Sequence, residues 1–352
     1  MDRGTNVVRL GLVGYGDGGR YFHAPFVAAA EGVELAGVVT RSRARRAELA
    51  ADFPGVPTYD SLTDLLEAGV DAVTISTPPQ TRRELVLQAV AAGVPVIADK
   101  PFAPTADSGR ALVAAAADAG VPLSVFHNRR WDADIRTLAG VLDGGELGEL
   151  WAVESRLEFD APSTLEAGPT GGLLRDLGSH LVDQVLWLLG PARLVFAELD
   201  HVELPGGRTD CRFAVNIEHA SGVRSRVSAS KVNHLEEREL RAYGAAGSYL
   251  ARGTDVQAQA VFAGKRPAEE GDAWGYEAPE FWGTLRTSAG EVRVPSKQGA
   301  YQDYYTQLAA ALRGEGEFPV PASEAVQTLE VLDAARASAA GSRAVSLSPA
   351  GP

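Results

Sequence analysis

The stretch Val7-Val8-Arg9-Leu10-Gly11-Leu12-Val13-Gly14-Tyr15-Gly16-Asp17-Gly18-Gly19 decides the fold. An apolar run of strand length leads directly into a glycine cluster that fits G-x-G-x-x-G, and a stretch able to form a helix follows. In that context each glycine has its own task. Gly14 permits a tight turn, Gly16 lets the backbone approach a pyrophosphate, and Gly19 lets helix and strand pack closely. Backbone N–H groups at the helix start then face the phosphates. Taken alone the motif could be no more than a glycine-rich turn, so its surroundings have to support it.

They do. Four further apolar runs follow up to about Phe126, namely ELAGVVT, DAVTIST, VPVIA and PLSVF. They alternate with helical stretches at 43–52, 61–67, 81–92 and 105–119, the last two followed by Gly93 and Gly120 where C-caps belong. This is the pattern of a doubly wound parallel sheet. Beyond Arg130 the texture changes. A helix over 133–142 precedes a half-buried strand over 150–159, and a helix over roughly 176–189 closes at Gly190-Pro191. Strand-like segments follow at 193–204, 212–219, 223–232 and 238–243, with short connections that favour antiparallel pairing. Helices near 301–313 and 323–339 come last, before a Ser-Pro-Ala-Gly-Pro end expected to fray. The expectation is an α/β chain: an N-terminal Rossmann domain with a doubly wound parallel sheet, residues 1–126, and a C-terminal α+β domain with an open, mostly antiparallel sheet, residues 127–352. A chain of 352 residues commonly divides its burial in this way, and a cleft between the domains is then available to a ligand.

Composition excludes several classes. The formal net charge of -13, from 46 acidic against 33 basic residues, gives a field that repels nucleic acid and anionic lipid. The one cysteine, Cys211, can form neither an intrachain disulfide nor a cysteine metal site, and reads as a small buried apolar residue. No apolar run approaches membrane-spanning length, and the run at the N-terminus leads to glycines rather than a cleavage site, so a cytoplasmic protein with no membrane partner is expected.

The nucleotide preference is read at the end of the second strand. An acidic residue there accepts hydrogen bonds from the ribose of NAD, but the place reads Thr40-Arg41-Ser42-Arg43, and no Asp or Glu occurs between Leu35 and Ala47. Arg41, Arg43, Arg45 and Arg46 offer donors to a 2'-phosphate, which favours NADP with NAD still possible. Arg45 and Arg46 read equally as a solvated helix face, Arg41 less so. The cofactor contacts are expected from Gly14, Tyr15, Gly16, Gly19, Thr40, Arg41, Ser42, Lys100, and the turn at Thr77 and Pro78.

Ligands of open α/β sheets bind beyond the carboxyl ends of the strands. There VPVIA runs into Asp99-Lys100-Pro101, whose proline fixes the direction of Lys100. A lysine so placed can hydrogen-bond a substrate hydroxyl and stabilise the alkoxide that develops as hydride leaves. The second element is Gly171-Gly172 followed by Asp176-Leu177-Gly178-Ser179-His180. If a helix starts at Asp176, then Asp176, His180 and Asp183 share one face. The carboxylate would orient the imidazole and favour its cationic form, making His180 a proton carrier near neutral pH. The alternative is Asp176 as a helix cap with a structural hydrogen bond. No metal site is expected, since His180 has no second histidine at ligand spacing.

Together these motifs resemble the glucose-fructose oxidoreductase and inositol dehydrogenase family, Gfo/Idh/MocA. Gly14-Tyr15-Gly16 with Gly19, the Asp99-Lys100-Pro101 variant of a Glu-Lys-Pro motif, and the paired glycines followed by Asp176 to His180 match in order and spacing. Phe22-His23-Ala24-Pro25, the run Phe126 to Asp132, Trp274-Gly275 and the stretch 301–312 are similar to the bacterial NADP-dependent scyllo-inositol dehydrogenase group. The resemblance spans nearly the whole chain and implies catalytic positions at Lys100, Asp176 and His180, the last as proton carrier. It also implies a homo-oligomer, dimer or tetramer, built on the exposed sheet face. Substrate contacts are expected from Lys100, Asn128, Asp176 and His180. One departure stands out: the inositol group usually carries an Arg-Pro and an Arg-Trp-Arg cluster before the paired glycines, whereas this chain reads Glu158 to Gly168 without an arginine. The expected function is hydride transfer between a secondary alcohol of a cyclic polyol or sugar and NADP. The rivals are a dinucleotide sensor without chemistry, and an enzyme acting on an amino sugar, an imine or a conjugated double bond.

Overall fold

A computed structural model describes residues 7–168, 171–253 and 255–347. The first half runs β1 (Val8–Val13), a π-helical turn over Gly18–His23, α1 (Ala24–Ala29), β2 (Val33–Val39), α2 (Arg43–Asp52), β3 (Thr58–Tyr59), α3 (Leu62–Glu67), β4 (Ala72–Ile75), α4 (Pro79–Ala91), β5 (Val96–Ala98), α5 (Ala106–Asp118) and β6 (Leu123–Val125). The six strands form one parallel sheet in the order β3-β2-β1-β4-β5-β6. Helices cover both faces, so β4 and β5 are buried at every position, the near-continuous apolar pattern parallel strands require. Helix starts follow their caps: Ser42, Ser61 and Thr105 each accept a backbone N–H from the first turn.

The second half runs α6 (Ala133–Gly144), β7 (Leu150–Glu158), α7 (Leu173–Leu189), β8 (Ala192–Leu204), β9 (Gly207–His219), β10 (Arg224–Ser230), β11 (Glu237–Gly244), β12 (Gly247–Ala251), α8 (Val256–Phe262), α9 (Pro267–Glu270), β13 (Gly283–Thr287), β14 (Gly290–Val294), α10 (Gln302–Leu312), α11 (Ala322–Gly341) and β15 (Val345–Ser346). Its nine strands order as β14-β13-β12-β11-β7-β10-β9-β8-β15. Every pairing is antiparallel except β7 with β10, which are parallel in register Ser230 to Glu158. Val195, Val215 and Val227 alternate inward beneath α7 and α11. The opposite face presents Phe196, Asn216, Arg226 and Glu154 in one row.

The halves are sewn together. α10 and α11 return from the end of the chain to pack on the parallel sheet, where Tyr304 donates to or accepts from Ser124 at 2.7 Å and Ser124 also reaches the Val320 carbonyl. Phe26 of α1 packs edge-on against Trp274 and Tyr301. Among the described residues no helix is long and apolar enough to cross a membrane. The expected α/β and mainly antiparallel layers are present, but β3, β12 to β15, α8 and α9 were not foreseen, and the fraying expected at 348–352 lies outside the described residues.

Candidate active site

The glycine turn sits at the carboxyl end of β1, where the strand order reverses between β1 and β4, the crevice in which such sheets bind ligands. Gly14 has φ +102°, and a Cβ there would lie 2.6 Å from the Ser76 carbonyl oxygen. A Cβ on Gly19 would lie 2.1 Å from the Gly14 carbonyl oxygen. Gly16 differs, because a Cβ there would meet nothing within 4 Å. Protein packing demands the outer two glycines, whereas the middle one borders free space above the turn, and that space suits a pyrophosphate. Tyr15 contributes no side chain to it: the ring is buried and its hydroxyl donates to Asp52 Oδ2 at 3.0 Å, leaving only its main chain for a ligand.

At the end of β2, the buried Thr40 gives its carbonyl to Arg46 Nε at 3.0 Å, and Ser42 Oγ caps α2. Arg45 pairs with Asp17 and Glu48, and Arg46 with Asp60. Arg41 and Arg43 are exposed and have no ion pair or side-chain hydrogen bond to the described residues. The two solvated-face arginines are thus consumed by the protein, and Arg41 remains available to a ligand.

From the turn a cleft of about 400 Å³ runs between the halves, bordered by Gly16, Thr77, Pro78, Lys100, Asp176 and Lys231 among others. Its inner end is set by the residues after β5, where the Lys100-Pro101 peptide is cis. Asp99 acts as the scaffold. Its Oδ1 accepts the Lys100 backbone N–H at 2.8 Å, its Oδ2 accepts Ser76 Oγ at 2.8 Å, and His23 Nε2 lies 3.3 Å from the same oxygen. Burial alone would raise this carboxyl, but His23, Arg82 and Ser76 hold it well below the usual carboxylate range.

Lys100 Nζ donates to Asp176 Oδ1 at 2.9 Å and to the Asp176 carbonyl at 3.2 Å. Lys231, just beyond β10, donates to Asp176 Oδ2 at 3.0 Å. Burial works to raise the Asp176 carboxyl, yet the two ammonium groups keep it far below its ordinary value. α7 delivers Asp176 from an unexpected start. The helix begins at Leu173, and Asp210 of β9 caps it by accepting the Leu174 N–H at 2.6 Å. Gly172 has φ +100°, and a Cβ on it would lie 2.2 Å from Asp210 Oδ1. Asp176 is therefore the fourth residue of the helix, not its cap, which corrects the expected start over 176–189.

The expected carboxylate–imidazole pair is also corrected. Both Asp176 oxygens go to lysines, and no hydrogen bond joins Asp176 to His180. The imidazole is buried, with Nδ1 lacking a hydrogen-bond partner. Burial, then Lys100, Arg129 and His127, push its pKa well below 6.5, so the neutral form prevails rather than the cation. His180 and Asn128 are buried and are not among the residues that border this cleft.

Two features escaped the sequence reading. Lys231 is one of them. The other is a buried cluster in which Arg129 pairs with Asp132 at 3.2 Å and Asp255 at 2.5 Å, with the Tyr301 hydroxyl donating to both carboxylates. Burial pushes Asp132 up to about 7 although Arg129 opposes it. Arg129 and Asp132 lie three residues apart, but no local spacing announces that Asp255 and Tyr301, from two distant segments, complete the cluster.

Residues 8–127 match the model of an oxidoreductase family, NAD-binding Rossmann fold, and residues 140–347 match that of an oxidoreductase family, C-terminal alpha/beta domain. The uncharacterized oxidoreductase YdgJ of Escherichia coli (strain K12) is 34% identical over 93% of this chain and 94% of its own. The scyllo-inositol 2-dehydrogenase (NADP(+)) IolW of Bacillus subtilis is 29% identical over 98% of this chain and 97% of its own. The crystal structure of an oxidoreductase from Bacillus cereus superposes with a TM-score of 0.89 at 25% identity, covering 98% of this chain and all of that one.

Proposed function

The chain belongs to the Gfo/Idh/MocA oxidoreductase family, and from that premise we propose that it transfers hydride between a secondary alcohol of a cyclic polyol or sugar and NADP. The observation that carries this reading is that the Lys100 ammonium, held by Asp176, opens into the same cleft as the free space over Gly16. A sensor needs phosphate and ribose contacts but has no use for a lysine and a carboxylate fixed at the far end. A nicotinamide dinucleotide bound over the turn would supply the hydride acceptor or donor.

The protein's own groups do the rest. Lys100 would hydrogen-bond the reacting oxygen and stabilise negative charge as it develops there, a preorganised contact of the kind that dominates catalysis. Asp176 fixes the Lys100 ammonium and, being ionised, leaves proton exchange to another group. In this reading His180, whose neutral ring lies one helical turn beyond Asp176 and does not border the cleft, exchanges the proton with the reacting oxygen by way of Lys100, whose charge acts on it. Arg41 would meet the 2'-phosphate. NADP preference is further supported by the name of the Bacillus subtilis relative. The uncovered sheet face around Phe196 is the surface on which copies would pair, in a cytoplasmic homo-oligomer.

The test is a panel of inositols and aldoses with NADP and NAD separately, followed by absorbance of the reduced nicotinamide. Turnover with NADP favoured over NAD is expected. Saturable NADP binding without turnover of any alcohol would favour the sensor.

A further inference from the structure

Lys231 is the group in the cleft that neither the glycine turn nor the Lys100 chemistry requires. Its side chain is 9% exposed and its one hydrogen bond goes to Asp176 Oδ2. An ammonium has three donors, so two remain, on a residue that borders the cleft. Asp176 already answers Lys100. Two largely buried ammonium groups therefore share one carboxylate, and neither has another ion pair among the described residues. The other carboxylates nearby do not close the balance: Asp99 is engaged by Ser76, His23 and the Lys100 N–H, and the exposed Glu166 pairs with neither lysine. Arg82 and Arg175 also border the cleft and reach only carbonyl oxygens, so with His180 neutral the inner end of the cleft keeps an excess of positive charge even with Asp99 ionised. A charge removed from water needs a partner, and the substrate is what displaces the water there.

We propose that Lys231 is a substrate-binding residue and that the substrate carries a carboxylate: an acidic sugar or polyol acid whose secondary alcohol sits at Lys100 and whose carboxylate reaches Lys231. This rests on the hydride-transfer reading above and names its substrate class.

The experiment compares neutral inositols and aldoses with gluconate, glucuronate and galacturonate, for turnover with NADP and for binding to the NADP complex by calorimetry. Parent, Lys231→Met and Lys231→Arg enzymes are used. In the parent the acids should exceed the neutral compounds at least about 10-fold in kcat/KM. Lys231→Met should raise KM for the acids about 30-fold or more beyond whatever change it causes with neutral alcohols, the loss that follows from truncating a buried charge contact; Lys231→Arg should recover most of that difference. A parent that prefers neutral polyols, or an equal loss on both classes, overturns the assignment and leaves hydride transfer standing. If nothing turns over, the dehydrogenase reading fails and calorimetry decides Lys231 separately: acid binding lost in Lys231→Met supports it, and no acid binding overturns it. The preference of the parent needs no variant, so a misfolded Lys231→Met does not remove the test.

Discussion

Replacing Gly16 by Ala separates what the glycine turn does for the protein from what it does for a ligand. The new methyl would meet no protein atom within 4 Å, and Gly16 has no left-handed φ. Folding stability should therefore stay within about 1 kcal/mol of the parent, with a small gain possible from a stiffer unfolded chain. The dinucleotide should suffer instead. A pyrophosphate oxygen accepting backbone N–H groups needs to come within about 3 Å of the turn, into the space the methyl takes. Losing two such bonds to a charged group, at about 1.5–3 kcal/mol each, weakens binding by 3 kcal/mol or more, roughly 100-fold or beyond. Gly19→Ala has the opposite profile, because its methyl would sit 2.1 Å from the Gly14 carbonyl oxygen and backbone cannot yield cheaply; urea unfolding should show a clear loss of stability. NADPH fluorescence titration and urea melts of both variants provide the readouts. A Gly16→Ala protein that binds NADPH within about threefold of the parent would refute the placement of the phosphates over this turn.

Lys100→Ala should lower kcat/KM for the alcohol by about 100- to 1,000-fold, the range for losing one preorganised donor, with NADP affinity nearly unchanged; retained turnover would remove its role. Arg41→Asp should shift preference from NADP towards NAD in paired titrations, whereas an unchanged ratio would discard the 2'-phosphate contact. Because the folded protein holds the His180 pKa well below 6.5, its basic form persists as pH falls through that value. Alcohol oxidation should then show no loss of kcat/KM between about pH 8 and about pH 6, and an acid limb near pH 6.5 that disappears in His180→Asn would contradict this.

Much of the layer plan is visible in periodicity. Five of the six parallel strands announce themselves as apolar runs because burial on both faces leaves no room for alternation, and α2 is bounded as expected, at Arg43 and Asp52. β3 escaped because two residues at a sheet edge carry no pattern. The β13–β14 hairpin escaped because β14 is almost wholly exposed and β13 mostly half-buried, so neither carries a clear alternation. At the site, spacing placed Asp176 and His180 on one helix but could not show who answers the carboxylate. Lys231 arrives from a strand 55 residues further along, and a lysine after an alternating segment looks like any surface lysine until the sheet order brings β10 beside β7. The cap of α7 has the same origin: Asp210 belongs to a different strand, so the apparent start at Asp176 was a local reading of a long-range contact. The absence of an acid at the end of β2 is a purely local feature, whereas the pairing of Arg45 with Asp17 and Glu48 and of Arg46 with Asp60, which leaves Arg41 without an ion pair among the described residues, is read only from the structure.

The most direct measurement is isotopic. A single turnover with a polyol substrate carrying deuterium on its carbinol carbon, in ordinary water with NADP, should yield reduced cofactor that carries the label, read by mass spectrometry. Reduced cofactor without deuterium, or release of the label to solvent, would contradict direct hydride transfer between the alcohol held at Lys100 and the nucleotide over Gly16.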